Sequence, residues 1–425
     1  MHINYRVKDE FVVESQRLRR QILTGLNPYE CPGPPSAGTV YVWPTKYCPV
    51  QCAHCNFASP LPGRGRSNSD SFHSANAQSR LVEFVNQLGI WKAVISGGGE
   101  PFLELKTVER LVQEVQSERL DEIEVITSGF WGRTPKSAQR ILACLADAYR
   151  RRSKSDNVKL LLRLSVDWFH RQSIGLEPIE NIIRAWDTGG FTELGCYIRS
   201  VLMTGDSTIR DLAASLDADL GPIVDYQQDL VLRSGRRVLV YYKNLIIDGR
   251  LSPSSLVSLP VALSPMASAA QFSNRFRDAS GRLIPALTYT GPVVRHLDGV
   301  SLIVEYDGGI KILEATAPDN VPSIYEHDWP SARARLYSDP LTIYLLEDGP
   351  EALARLMHEI RADSMQIATD TNQLYYIVDK LLQTPEARLW ATVKILLVHR
   401  ERGRQAFDDR LLQDALRYLD VRTPV

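Results

Sequence analysis

"YVWPTKYCPVQCAHCNFASP" (residues 41–60) puts Cys48, Cys52 and Cys55, three of the chain's six cysteines, within eight residues. The triplet follows the β-branched run "TVYVW" (39–43), so it sits on a loop leaving the C-terminal end of a buried strand. α/β folds built on parallel strands place their sites at that end. Three local thiols are one short of the four ligands of zinc, which usually come as paired C-x2-C. A zinc site would need Cys31, across a Pro-Gly turn. Three thiolates on a [4Fe–4S] cube instead leave one iron open to bind another molecule, and this reading suits the spacing best.

Outward from the triplet the chain keeps a regular rhythm. "KAVIS" (92–96), "EIEVIT" (122–127), "VKLLLRLSV" (158–166) and "GCYIRSVLM" (195–203) read as further buried strands. Between them, helical spacing links Leu81, Val85 and Leu88, then Val108, Leu111 and Val115, then Ile141, Leu142 and Leu145. It continues through Ile179, Ile182, Ile183 and Trp186, and through Ile209, Leu212 and Leu216. Such alternation predicts parallel strands with right-handed crossovers. A closed eight-fold barrel takes about 250 residues, and this region is shorter. The expected fold class is therefore α/β, a partial (β/α)6 TIM-like barrel followed by a smaller α+β C-terminal region.

Domain boundaries follow from composition. Residues 1–37 form an N-terminal extension ending in "NPYECPGPPSAG", and residues 38–224 carry the barrel. Residues 225–348 hold two hairpin patterns, "DLVLRSGRRVLVYYKNLIIDGR" and "VSLIVEYDGGIKILEA". Between these lies a Ser- and Pro-rich stretch, near 250–275, read as a linker or a loop closing over the site. From 349 the chain reads as helical, with Leu353, Leu356, Met357 and Ile360 on one face and "EARLWATVKILLVHRER" as a docked amphipathic helix. A net charge of −1 argues against nucleic-acid binding by bulk electrostatics. The polar start of the chain and the lack of a long apolar run point to a cytoplasmic protein with no membrane span.

A second motif stands at the end of the next strand, "SGGGEPFL" (96–103). Glycines let backbone approach a ligand closely, and Glu100 offers an acceptor for an ammonium. The triplet and this motif together make the chain resemble the radical S-adenosylmethionine (radical SAM) enzymes over about residues 38–220. The resemblance implies a single [4Fe–4S] cluster on Cys48, Cys52 and Cys55. It implies S-adenosylmethionine bound by Gly97, Gly98, Gly99, Glu100 and Pro101, with His54 as the aromatic-type residue before the last cysteine. "TSG" (127–129) adds Ser128, "SVDWFH" (165–170) adds Ser165 and Asp167 as ribose or carboxylate contacts, and Arg199 would meet the cofactor carboxylate. Plainer readings stay open. Ser165 and Asp167 would equally cap a loop, Arg199 form a structural ion pair, and His170 be a satisfied polar residue. Cys144 and Cys196 read as buried fillers.

The resemblance further implies reductive cleavage of S-adenosylmethionine to a 5′-deoxyadenosyl radical. The electron would come from a flavodoxin or ferredoxin, and the radical would abstract hydrogen from a peptide or small-metabolite substrate. Residues 306–329 resemble the hairpin that opens the SPASM or twitch tails of peptide-modifying relatives, yet no cysteine follows Cys196, so no second cluster is expected. No catalytic side chain is assigned. A different class of protein, a non-catalytic iron–sulfur or zinc scaffold, shares the triplet but gives the glycine motif no purpose.

Overall fold

A computed structural model of the chain describes residues 5–26, 37–55, 57, 59–63, 70–153, 157–224, 226–243, 262–263, 300–312, 316–365, 367, 378, 380–402 and 409–420. Cys31 and all of the 250–275 stretch except 262–263 lie outside the described residues. By its internal contacts the chain divides into two compact units. One comprises Ser36–Met266 and Leu302–Gly309, the other Met1–Pro35, Ala267–Ser301 and Ile310–Val425.

The first unit is a mixed α/β fold around a large parallel sheet. β1 (Ala37–Val42), β2 (Lys92–Ile95), β3 (Glu122–Thr127), β4 (Lys159–Ser165) and β5 (Leu194–Val201) lie side by side in chain order, all parallel. Five helices, Ala75–Asn86, Leu105–Glu114, Pro135–Arg150, Glu177–Thr188 and Thr208–Leu216, follow the predicted apolar spacing. They turn buried residues such as Leu81, Val108, Leu142, Ile182 and Leu212 inward. Ser74 and Thr134 cap two of them, accepting from the N–H groups of Ala77 and Ser137.

The sheet does not stop at residue 224. Its sixth parallel strand, Arg237–Lys243, pairs with β5 in the register Arg199↔Tyr241. The same strand forms the expected antiparallel hairpin with Gln227–Val231. An alternating pattern shows that a hairpin is present, but not which strand docks on β5. On the other edge, the Trp43 N–H donates to the Val304 carbonyl at 2.9 Å.

Alternation along the strands separates two chemistries. Ile123, Val125, Leu160, Leu162, Leu164 and Ile198 are buried apolar residues on one face. On the other face, Lys92, Glu122, Glu124, Arg163 and Tyr197 touch one another. Lys92 Nζ lies 2.5 Å from Glu122 and 2.6 Å from Glu124, and Arg163 lies 3.1 Å from Glu124. The Tyr197 hydroxyl also donates to Glu124. Charge inside the fold survives because each carboxylate has a partner.

In the second unit the N-terminal helix Tyr5–Gly25 packs Leu18, Ile22 and Leu26 against Leu389, Val393, Leu396, Leu412 and Ala415. Arg19, 1 % exposed, reaches Asp339 at 2.6 Å and Asp319 at 2.7 Å, and its Nε donates to Thr392. The helix Pro385–Glu401 forms as predicted, but is buried on most sides rather than on one stripe. Leu353 and Met357 are buried as expected, whereas Ile360 falls past the end of the Gly349–Met357 helix and is 37 % exposed.

Candidate functional site

The cysteine loop is fixed at both ends. The Cys48 N–H donates to the Pro60 carbonyl at 2.9 Å, and the Cys55 N–H to the Cys52 carbonyl at 3.1 Å. Between the first two cysteines, Gln51 adopts φ +55°, uncommon for a residue with a side chain. Its amide donates to the carbonyls of Cys48 (2.9 Å) and Ser59 (2.7 Å), which ties the turn to the far side of the loop. On the approach to the triplet, Lys46 pairs with Asp70, and the Tyr47 hydroxyl donates to the same carboxylate at 2.9 Å.

The glycine motif meets this loop directly. The Glu100 N–H donates to the Tyr47 carbonyl at 2.8 Å. A side chain at Gly99 would run into the carbonyl oxygens of Thr45 and Tyr47, whereas one at Gly98 would meet the Trp43 and Phe57 rings at an ordinary 3.5 and 3.8 Å. The Glu100 carboxylate, 2 % exposed, accepts from the Phe102 and Ser128 N–H groups and from the Thr127 and Ser128 hydroxyls, the last at 2.5 Å. Burial raises its pKa, and those four donors pull the other way. Glu100 therefore ties the end of β2 to the end of β3.

A cavity of about 200 Å³ opens between these loops. Cys48, Cys52, Cys55, Gly97, Gly98, Gly99, Glu100, Pro101, Ser128 and Ser165 all line it, so ten of the twelve positions singled out in the sequence meet there. Asp167 and Arg199 do not. Asp167, 1 % exposed, caps the short helix Trp168–Ile174, its Oδ1 accepting from Phe169 and His170 N–H groups at 3.0 Å. Its Oδ2 faces His170 Nδ1 at 2.9 Å and His54 Nε2 at 3.5 Å. Arg199 stands opposite Ser165 in the register of β4 and β5, its pKa brought down to about 10 by burial and by Arg163.

Lining residues given no role by the motifs include Gln51, Ser59, Thr127, His170 and Lys243. His54 stacks on Phe169 at 4.4 Å, and burial takes its pKa down to about 3; its buried Nδ1 has no partner among the described residues. His170 goes the other way, raised to about 10 by the Asp167 carboxylate and Cys52 against the cost of burial. Lys243, at the end of the sixth strand, is lowered to about 8 by burial, with Asp167 opposing. Burial likewise pushes the Cys48 thiol up to about 12, with the Glu100 carboxylate adding to the rise. One signal for Lys243 was present in "VLVYYK": a lone cation ending an alternating strand.

Three thiols line one cavity at the strand ends of an α/β fold, a ligand set that suits an iron–sulfur cluster. Residues 35–149 match the family model described as "4Fe-4S single cluster domain". The segment holding the triplet and the glycine motif is thus similar to that domain. No curated protein matches the sequence. Among solved structures, native anSMEcpe with bound AdoMet aligns at 12 % identity, covering 85 % of this chain and 99 % of that one, with a TM-score of 0.42. A hexahistidine-tagged form of anSMEcpe with bound AdoMet gives 13 %, 90 %, 98 % and 0.43. The complex of native anSMEcpe with AdoMet and the Cp18Cys peptide gives 12 %, 85 %, 99 % and 0.42. At these scores the likeness is too loose to bear on mechanism. No helix among the described residues is long and apolar enough to cross a membrane.

Proposed function

We propose that the chain is a single-cluster radical SAM enzyme whose first unit is a partial (β/α)6 barrel. The observation that carries this is the convergence of Cys48, Cys52 and Cys55 with the Gly97–Glu100 backbone on one cavity. The site fits a [4Fe–4S] cluster. Three thiols, none in a disulfide, share a pocket with Lys243, whose charge complements an anionic thiolate cluster. Held by Cys48, Cys52 and Cys55, the cluster would supply the one-electron reductive chemistry by which S-adenosylmethionine is cleaved for hydrogen abstraction from substrate. Gly98 keeps open the approach beside Trp43, and Gly99 lets the cysteine loop close on the second strand. Glu100 orients Ser128 and holds the strand ends in register. A flavodoxin- or ferredoxin-type donor would supply the electron, and a peptide or small metabolite is the substrate class. The hairpin-like segment 306–329 tilts this toward a peptide.

A second reading has its own observation. One ligand atom each of Cys52, His54 and His170 lie within 4.8 Å of one another, a group able to hold a single metal ion in a non-catalytic scaffold. Anaerobic reconstitution separates the two. The proposed enzyme holds about four irons and acid-labile sulfides per chain, with an EPR signal of the reduced cluster that changes on adding S-adenosylmethionine. One zinc or iron without sulfide would favour the scaffold.

A further inference from the structure

We infer that His170 tunes the reduction potential of the cluster by donating a ring N–H to the sulfur of Cys52. The inference rests on the proposed iron–sulfur reading of the site. The imidazole is held from three sides. Its own backbone N–H is tied to Asp167 Oδ1 at 3.0 Å, and its Nδ1 lies 2.9 Å from Oδ2 of the same carboxylate. The His54 ring meets it edge-on at 5.2 Å between centroids. With Nδ1 turned to the carboxylate, Nε2 is the nitrogen left for a second partner. The ring stands beside the sulfur of Cys52, the buried one of the three clustered cysteines, with one ligand atom of each within 4.8 Å of the other. Asp167 thus stands behind His170, and His170 stands behind the sulfur.

The consequence follows from charge. Reducing the cluster adds one negative charge, spread partly onto the thiolate sulfurs. An N–H dipole aimed at one sulfur stabilises the reduced form more than the oxidised form, and hydrogen bonds to sulfur are among the determinants of cluster potential. Where water is excluded, that bond is stronger than at a surface. His170 is therefore a positioning and tuning residue, and it makes the cluster easier to reduce.

The test is an EPR-monitored redox titration of the anaerobically reconstituted full chain without S-adenosylmethionine. H170F removes the donor. Its midpoint is expected to fall by the equivalent of about a tenfold loss of reduced cluster at fixed potential, ~59 mV for a one-electron couple. In H170Q the amide nitrogen reaches the position of Nε2, and most of the shift should be recovered. An H170F protein with its full iron and a wild-type midpoint overturns the inference. If H170F does not take up iron, H170N serves instead, since its amide reaches Asp167 but stops short of Cys52; a wild-type midpoint there overturns it equally. Iron loss in both variants also overturns it, because His170 would then serve assembly rather than potential. Wild-type protein that forms no cluster defeats the proposed function itself, whereas an unshifted variant of a loaded protein defeats only this inference.

Discussion

Replacing Gly99 by alanine sets a Cβ against backbone that has no slack. The new carbon would lie 2.8 Å from the Lys46 carbonyl carbon, and closer still to the Thr45 and Tyr47 oxygens. Ordinary contact begins at 3.4 Å, so the loop must retreat by about 0.6 Å or more. It cannot do so freely. Tyr47 O accepts the Glu100 N–H at 2.8 Å, and the Tyr47 hydroxyl is tied to Asp70. Overpacking of this kind costs about 1–3 kcal/mol, which for a unit of this size lowers the melting temperature by roughly 2–4 °C per kcal/mol. Cys48 follows Tyr47 directly, so the same displacement moves the first of the three proposed cluster ligands. G99A should load less iron in anaerobic reconstitution and melt below wild type by thermal denaturation. G98A, whose Cβ meets Trp43 at 3.5 Å, should load iron and melt within about 0.5 kcal/mol of wild type. A G99A protein that matches wild type in both measurements would refute the close approach as the reason for glycine at 99.

Two further predictions concern buried charge. The Glu124 carboxyl is held down to about 2 by Arg163 and Lys92 against the cost of burial. A depressed carboxylate pKa stabilises the fold above its unfolded value of about 4.3, and that stability is lost as pH falls through the folded value. Melting temperature should therefore drop between about pH 4.5 and about pH 2, and E124Q, already about 3–5 kcal/mol less stable at neutral pH, should show a flatter acid slope. An E124Q protein with wild-type stability at neutral pH would count against the network. In the second unit, R19L leaves the fully buried Asp339 without its 2.6 Å partner, at a cost of about 3–5 kcal/mol. Hydrogen exchange should report faster opening of the Pro385–Glu401 helix, and unchanged protection would contradict this role for Arg19.

Much of the first unit is legible in the sequence, because buried parallel strands and amphipathic helices leave different periods. "EIEVIT" coincides with β3, and the helices fall where the apolar spacing places them. The site is legible for the same reason: glycines and clustered cysteines are local signals. What does not show is the pairing of distant segments. The sixth strand reads as half of a hairpin because alternation carries no information on its second neighbour. Lys243 consequently shows in the sequence only as a cation ending that strand, and its place at the cavity follows once Arg237–Lys243 docks on β5. The N-terminal helix hides for a related reason: its buried residues Leu18, Ile22 and Leu26 find their partners at the far end of the chain, at Leu389 and Leu412. Asp167 carries two readings in the sequence, a ligand contact and a cap. Its oxygens serve a helix cap, as the plainer reading has it, and face two histidines that its position in "SVDWFH" does not announce.

Anaerobically reconstituted protein, given dithionite and S-adenosylmethionine, is the direct test of the central claim. The account predicts 5′-deoxyadenosine and methionine in equal amounts, with C52A producing neither. Intact protein carrying a full cluster that leaves S-adenosylmethionine uncleaved, or C52A that cleaves it as well as wild type, would contradict it.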